Sequence, residues 1–234
     1  MEPLSNDLNE AIVSVKNYML QDSTNLMSIT GYYKSDENNH SAFPNLGLAR
    51  ANAVKNYFVS TGVSSKNIDT YGELKNDIIP DNERIYYGPV GFSISNLDFS
   101  DTTRMDAIYQ IGESIKENPL VLYFETGAAT LSLTPEQRIK VANISKYIDK
   151  IHEAQIHVIG HTDNTGNPDG NMQLGQKRAD FVKDYFCLLN WNLWMIVEKT
   201  EKTNNLILKI ENMYKATTRV GSLIGNCDTV HSTE

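Results

Sequence analysis

The sequence predicts an α/β fold built as two tandem two-layer domains, each a mixed sheet with helices packed on one face. Three observations carry that expectation. Alternating apolar strands take turns with amphipathic helices along the chain, the order that produces two-layer α/β domains. A thirteen-residue segment recurs at a fixed offset. The 234 residues, 40% apolar and 21% charged, are enough for two ordinary soluble domains, each with a core of its own.

The first half opens on a helix. Leu8, Ile12, Val15 and Met19 fall at helical spacing on one face. Residues 26–33 alternate as a strand and 45–61 form an amphipathic helix closed by Gly62. Residues 67–73 read as a second strand, and 85–94 as a last one with Pro89 near an edge. No strand precedes the opening helix, so the strand that would begin this half is expected outside the sequence. Segment 96–118 joins the halves and carries a helix, with Met105, Ile108, Ile111 and Ile115 in helical register.

The second half repeats that order with an added first strand, Val121-Leu122-Tyr123-Phe124. Thr134-Pro135-Glu136-Gln137 is a helix start, with Thr at the N-cap, Pro at N1 and Gln at N3. Helix 135–151 is expected to turn Ile139, Ala142, Ile144 and Tyr147 toward the sheet. Strand 155–162, helix 171–189, strand 195–200 and a weaker strand near 219–224 follow. The boundaries are then 1–95 for the first domain, 96–118 for the linker with its helix, 119–226 for the second domain and 227–234 for a tail.

The repeat ties the halves together. Leu46 to Phe58 lies 128 positions before Leu174 to Phe186, and eight of the thirteen pairs are identical, including Arg50 with Arg178. Each copy follows an alternating run that ends in glycine, at Gly31 and at Gly160. A period this long, present twice, describes two related domains and not a solenoid.

Composition narrows the function. Net charge is −8 and the pI about 5.2, with no basic cluster interleaved with aromatics, which argues against nucleic acid as a partner. No apolar run reaches the roughly 18 residues needed to cross a bilayer, and the first residues lack the pattern of a secretory signal. Cys187 sits in an apolar run and reads as a small buried thiol; its pairing with Cys227, 40 residues on, is left open by the sequence. Neither comes with a CxxC pair or a His pattern, so no metal centre is expected there. His157 and His161 lie about 13 Å apart along an extended strand, too far to share one ion, and His161 with Asp163 lacks further ligands. No GxSxG elbow, P-loop, HExxH or Cys–His pair is present, so no catalytic residue and no cofactor is assigned.

The chemistry that does stand out is Gly160-His161-Thr162-Asp163-Asn164-Thr165-Gly166, followed by Asn171, Leu174-Gly175 and Arg178-Ala179. A strand ending at Gly160 would place Asp163 in the crevice at the carboxyl end of the sheet, with Arg178 some two turns into the next helix. A carboxylate and a guanidinium flanking one crevice suit a zwitterion: the carboxylate takes an ammonium group and the guanidinium clamps a carboxylate. A plain ion pair pinning loop to helix fits the same spacing.

With Phe124, these residues in this order resemble the OmpA-like domain also found in Pal lipoproteins and flagellar stator proteins, over about residues 119–224. The resemblance implies non-covalent binding of peptidoglycan through the diaminopimelate of its stem peptide, with no enzyme activity. Asp163 would take the amino group, Arg178 the neighbouring carboxylate, and Thr165 and Asn171 would add hydrogen bonds. Gly127 stands where many members carry Asn, leaving only backbone contact there. Of the family's usual closing run, only Arg219 and Val220 persist in register, and Arg219 would stand at the back of the site. The resemblance also implies a tether in the periplasm or at the outer membrane, a membrane or lipid anchor outside this chain, and envelope proteins as further partners.

The first half resembles the family less closely. Lys34 stands where the carboxylate belongs, so this copy is expected to be a degenerate scaffold that does not bind diaminopimelate. Asp36 or Glu37 would substitute only if the longer loop folded inward. The rival to peptidoglycan binding is a protein–protein interaction module that kept the fold and lost the ligand. Trp191 and Trp194 would serve such a module if both were exposed on one face.

Overall fold

The computed structural model describes residues 6–79, 81–83, 88–151, 154–162, 167–187, 197–201 and 205–212, with side chains at 10–79, 81–83, 88–151, 154, 167 and 169–182. The chain divides into two compact units, Met1–Thr103 and Arg104–Glu234.

The first unit runs α1 (Asn6–Gln21), β1 (Asn25–Tyr33), α2 (Leu46–Ser60), a short 3-10 turn at Ser65–Asn67, β2 (Ile68–Leu74) and β3 (Val90–Asn96). Its sheet has the order β2-β1-β3, with β1 parallel to β2 and antiparallel to β3. The period of two on β1 sends Met27, Ile29 and Gly31 to the buried face. Met27 and Ile29 join Met19, Ala51, Phe58, Val63 and Ile68 in one core, with Ile12 and Val15 of α1 packed against it. Each fully buried Met, Ile or Phe of this set contributes about 1.5–3 kcal/mol. Among the residues expected on the α1 face, the side chain of Leu8 lies outside those described.

The repeated glycines have a packing reason. A Cβ on Gly31 would lie 1.9 Å from the carbonyl oxygen of Gly47, so α2 rests backbone to backbone on β1. Helix α2 starts on the Asn45 side chain, which accepts from Leu48 N at 2.7 Å. It ends in a Schellman motif: Val63 N donates to Phe58 O and Gly62 N to Val59 O, and Phe58 and Val63 meet in the core.

The second unit contains α3 (Thr103–Glu117), β4 (Leu120–Tyr123), α4 (Pro135–Lys150), β5 (Ala154–Thr162), α5 (Pro168–Cys187), β6 (Val197–Glu201) and β7 (Asn205–Asn212). Its sheet order is β4-β7-β5-β6, with β5 parallel to β6 and β7 antiparallel to both β4 and β5. The order β6-β5-β7, with β5 parallel to β6 and antiparallel to β7, matches the order β2-β1-β3 of the first unit, with β1 parallel to β2 and antiparallel to β3. The expected capping box is present at α4: the Thr134 hydroxyl accepts from Gln137 N, and the Gln137 amide oxygen accepts from Thr134 N. The helix expected in the joining segment is α3. It buries Ile108, Gly112 and Ile115, and Gly112 lies against the Tyr147 ring of α4, so this helix packs within the second unit.

One sequence expectation is corrected. Ile139 is exposed, and Val141 takes the buried position beside Ile144 and Tyr147, because α4 is rotated by part of a turn from the expected face. The last described strand is β7 at Asn205–Asn212, ahead of the weak strand expected near 219–224, a segment outside the described residues. Strand β7 sits between β4 and β5, which suits its dense apolar run Leu206-Ile207-Leu208.

Candidate site at the strand ends of the second unit

Strands β4 and β5 are each antiparallel to β7, and Leu122 and Gly160 both stand opposite Leu206. They therefore run the same way and finish at the same end of the sheet. The loop after β4 begins there and reaches α5 at Arg178; this is the end at which open α/β sheets commonly bind ligands. Asn167 begins α5, its side-chain oxygen accepting from Asp169 N at 2.8 Å and Gly170 N at 3.4 Å.

Along α5, Gly175, Arg178, Ala179 and Val182 are buried and Asn171 and Leu174 half-buried, a single stripe at helical spacing. Asn171 lies in the first turn and Arg178 two turns on, roughly 10 Å along the axis. Arg178 is 0% exposed. Its Nε donates to Ala128 O at 2.9 Å, its Nη2 donates to Glu125 O at 3.2 Å, and its guanidinium lies 5.0 Å over the Phe124 ring. Phe124 in turn meets Phe181 edge to face. A buried guanidinium without partners would cost several kcal/mol, and these carbonyls with the aromatic face offset that cost.

The carbonyls are presented by a tight turn, closed by Ala128 N donating to Glu125 O at 2.9 Å. Gly127 holds φ +73°, which L side chains adopt rarely, so the turn depends on glycine. Sequence reasoning expected only backbone contact near Gly127; it missed that the flanking carbonyls grip Arg178. A side-chain pattern carries no signal for such a contact, although Phe124 marked the place.

Asn171 and Arg178 are thus brought to one face of α5, whereas Asp163, Thr165 and Arg219 lie outside the described residues. The same is true of Cys227, Trp191 and Trp194, and of the side chains of His157, His161 and Cys187. Among the described residues, no group of three or more His, Cys, Asp or Glu is arranged to hold a metal ion.

The corresponding corner of the first unit is built differently. The loop after β1 does fold inward, and Glu37 meets Arg50: Arg50 Nη2 donates to Oε1 at 2.5 Å and Nη1 to Oε2 at 3.1 Å. Arg50 Nη1 also donates to Tyr32 O at 2.6 Å, and Lys34 N donates to Glu37 Oε2 at 2.8 Å. The Arg50 bonds hold the Glu37 carboxyl below its ordinary range, against some desolvation, with further help from Lys34. The Lys34 ammonium turns instead to Asp36, 3.5 Å away. At the 128-residue offset Asn171 corresponds to Phe43, which is buried. Helix α2 begins only at Leu46, so this unit lacks the first turns of α5 that carry Asn171.

A mixed sheet packed with helices, with a polar helix start near the strand ends, defines a two-layer α/β domain. The sequence profile of the OmpA family matches residues 123–205, from the last residue of β4 to the first of β7. OmpA-like domains are generally non-enzymatic binding modules of cell-envelope proteins, and they commonly bind peptidoglycan. No curated protein matches the chain. No helix among the described residues is long and apolar enough to cross a membrane.

Proposed function

We propose that the second unit holds peptidoglycan through the diaminopimelate of its stem peptide and tethers an envelope protein to the wall. The observation that carries this reading is the place of Arg178. Among the described side chains of α5 it is the buried cation, near the strand ends and inside the segment that matches the OmpA family. Asp163 takes the ligand's ammonium group, Arg178 its carboxylate, and Thr165, Asn171 and Arg219 complete the hydrogen bonding. The first unit, residues 1–95, is a degenerate copy that binds no diaminopimelate, because Glu37 already occupies the fork of Arg50. The tether works in the periplasm or at the outer membrane.

One observation favours the rival, a protein-interaction module without peptidoglycan. Arg178 is fully buried, and two of its donors are held by its own chain. Co-sedimentation with diaminopimelate-type sacculi separates the two. The tether requires that wild type pellets, that free meso-diaminopimelate competes, and that Asp163→Ala abolishes pelleting with the fold intact by circular dichroism. Arg178→Ala is a weaker probe, since it also releases the 125–128 turn. Folded wild type that stays in the supernatant refutes the tether.

A further inference from the structure

The first unit leaves one sheet edge open in a specific way. Among the described residues β3 pairs only with β1, so its other edge carries unpaired backbone groups. Phe92 stands opposite Ile29 and Ile94 opposite Met27, and directly opposed residues share a face, so both lie on the core side of the sheet. Phe92 touches the core at the ring of Phe58, 6.4 Å between centroids. Yet Phe92 is 55% exposed and Ile94 39%. An edge with apolar side chains on its core face and free backbone groups is a template for strand addition.

The second unit shows what fits such an edge. There β7, which lies beside β5 as β3 lies beside β1, carries β4 on its outer side, antiparallel, with Leu120 and Leu122 buried. Matching Gly31 to Gly160 carries that register across. Leu206, opposite Gly160, corresponds to Val90, opposite Gly31, and Leu208 corresponds to Phe92. A strand seated like β4 would set one apolar residue beside Val90 and the next-but-one beside Phe92.

We propose that the free edge of β3 is a docking site for an extended polypeptide segment. The segment adds antiparallel to β3, with apolar residues at alternate positions in the pattern of Leu120-Val121-Leu122. The choice of occupant rests on the two units being copies; the exposed edge stands without it.

The test is amide hydrogen exchange by NMR on the full chain, with and without a synthetic peptide of residues 117–125, whose terminal glutamates keep it soluble. The β3 amides that point away from β1 are expected to slow at least about tenfold at saturating peptide. A peptide with Ser in place of both leucines should give no slowing, and neither should Phe92→Asp in a sample whose fold is verified by circular dichroism. Reading the β3 amides alone keeps exchange of the peptide with β4 out of the result. Unchanged exchange at millimolar peptide overturns the proposal, as does equal protection by the serine peptide. Protection that rises with protein concentration in the absence of peptide, together with a dimer in sedimentation equilibrium, overturns it in favour of two β3 edges pairing with each other.

Discussion

Replacing Glu37 with alanine removes both arms of the fork on Arg50 and the acceptor for Lys34 N. Hydrogen bonds to charged groups contribute about 1.5–3 kcal/mol each when sheltered. Here the side chains are 28% exposed at Arg50 and 14% at Glu37, so solvent screening lowers the contribution of the pair. The Glu37–Arg50 coupling is expected at about 1.5 kcal/mol, and the total cost of Glu37→Ala at about 2 kcal/mol. The assay is a double-mutant cycle of Glu37→Ala and Arg50→Ala in urea, followed at the NMR cross-peaks of Met27 and Ile29, which report the first core. The pH dependence has a definite sign. The folded pKa of Glu37 lies below the ordinary 4.5, so the folded state favours the ionised form. The coupling is therefore complete above pH 4.5 and is lost as pH falls through the lower folded value. A coupling under about 0.3 kcal/mol at pH 7, or one that grows on acidification, would refute the pairing as a stabilising contact.

Three further outcomes are expected. Gly31→Ala should destabilise the first unit by about 3 kcal/mol or more, read as a lower urea midpoint, because its new methyl meets the Gly47 carbonyl. Thr134→Ala should cost about 1 kcal/mol in thermal unfolding of the second unit through loss of the capping box, and Thr134→Ser should restore most of it. Arg178→Lys keeps the charge but cannot reach both Glu125 O and Ala128 O as the guanidinium does. It should lower the stability of the second unit by about 2 kcal/mol in chemical denaturation, and a change below about 0.5 kcal/mol would show that those bonds contribute little.

Most helices and strands were legible because period and punctuation agreed. Thr134-Pro135 and Gly62 marked helix ends that the hydrogen bonds then used. Helix α5 was traced from Asn171, but Pro168 opens it, since Asn167 supplies the cap. Strand β7 at Asn205–Asn212 was not expected, although Leu206-Ile207-Leu208 is a plain apolar run; the strand expected near 219–224 lies outside the described residues. Of the candidate site's residues, Asn171 and Arg178 share a face of α5, and Asp163, Thr165 and Arg219 lie outside the described residues. What the sequence hid was backbone chemistry and loop direction. Nothing in the letters says that the Glu125 and Ala128 carbonyls hold Arg178. Lys34 stood at the expected position, yet it was the chain direction after β1 that brought Glu37 to Arg50.

The grip on Arg178 is made by peptide carbonyls, and this separates two kinds of freedom in the loop after β4. The side chains of Glu125, Thr126 and Ala128 take no part in holding the guanidinium, so they can be exchanged without disturbing it. Only the conformation at Gly127 is committed. Charge and bulk at the rim of the crevice can thus be redrawn one residue at a time over an unmoved anchor. That makes the four-residue turn the place where the surface beside Arg178 tolerates change most readily.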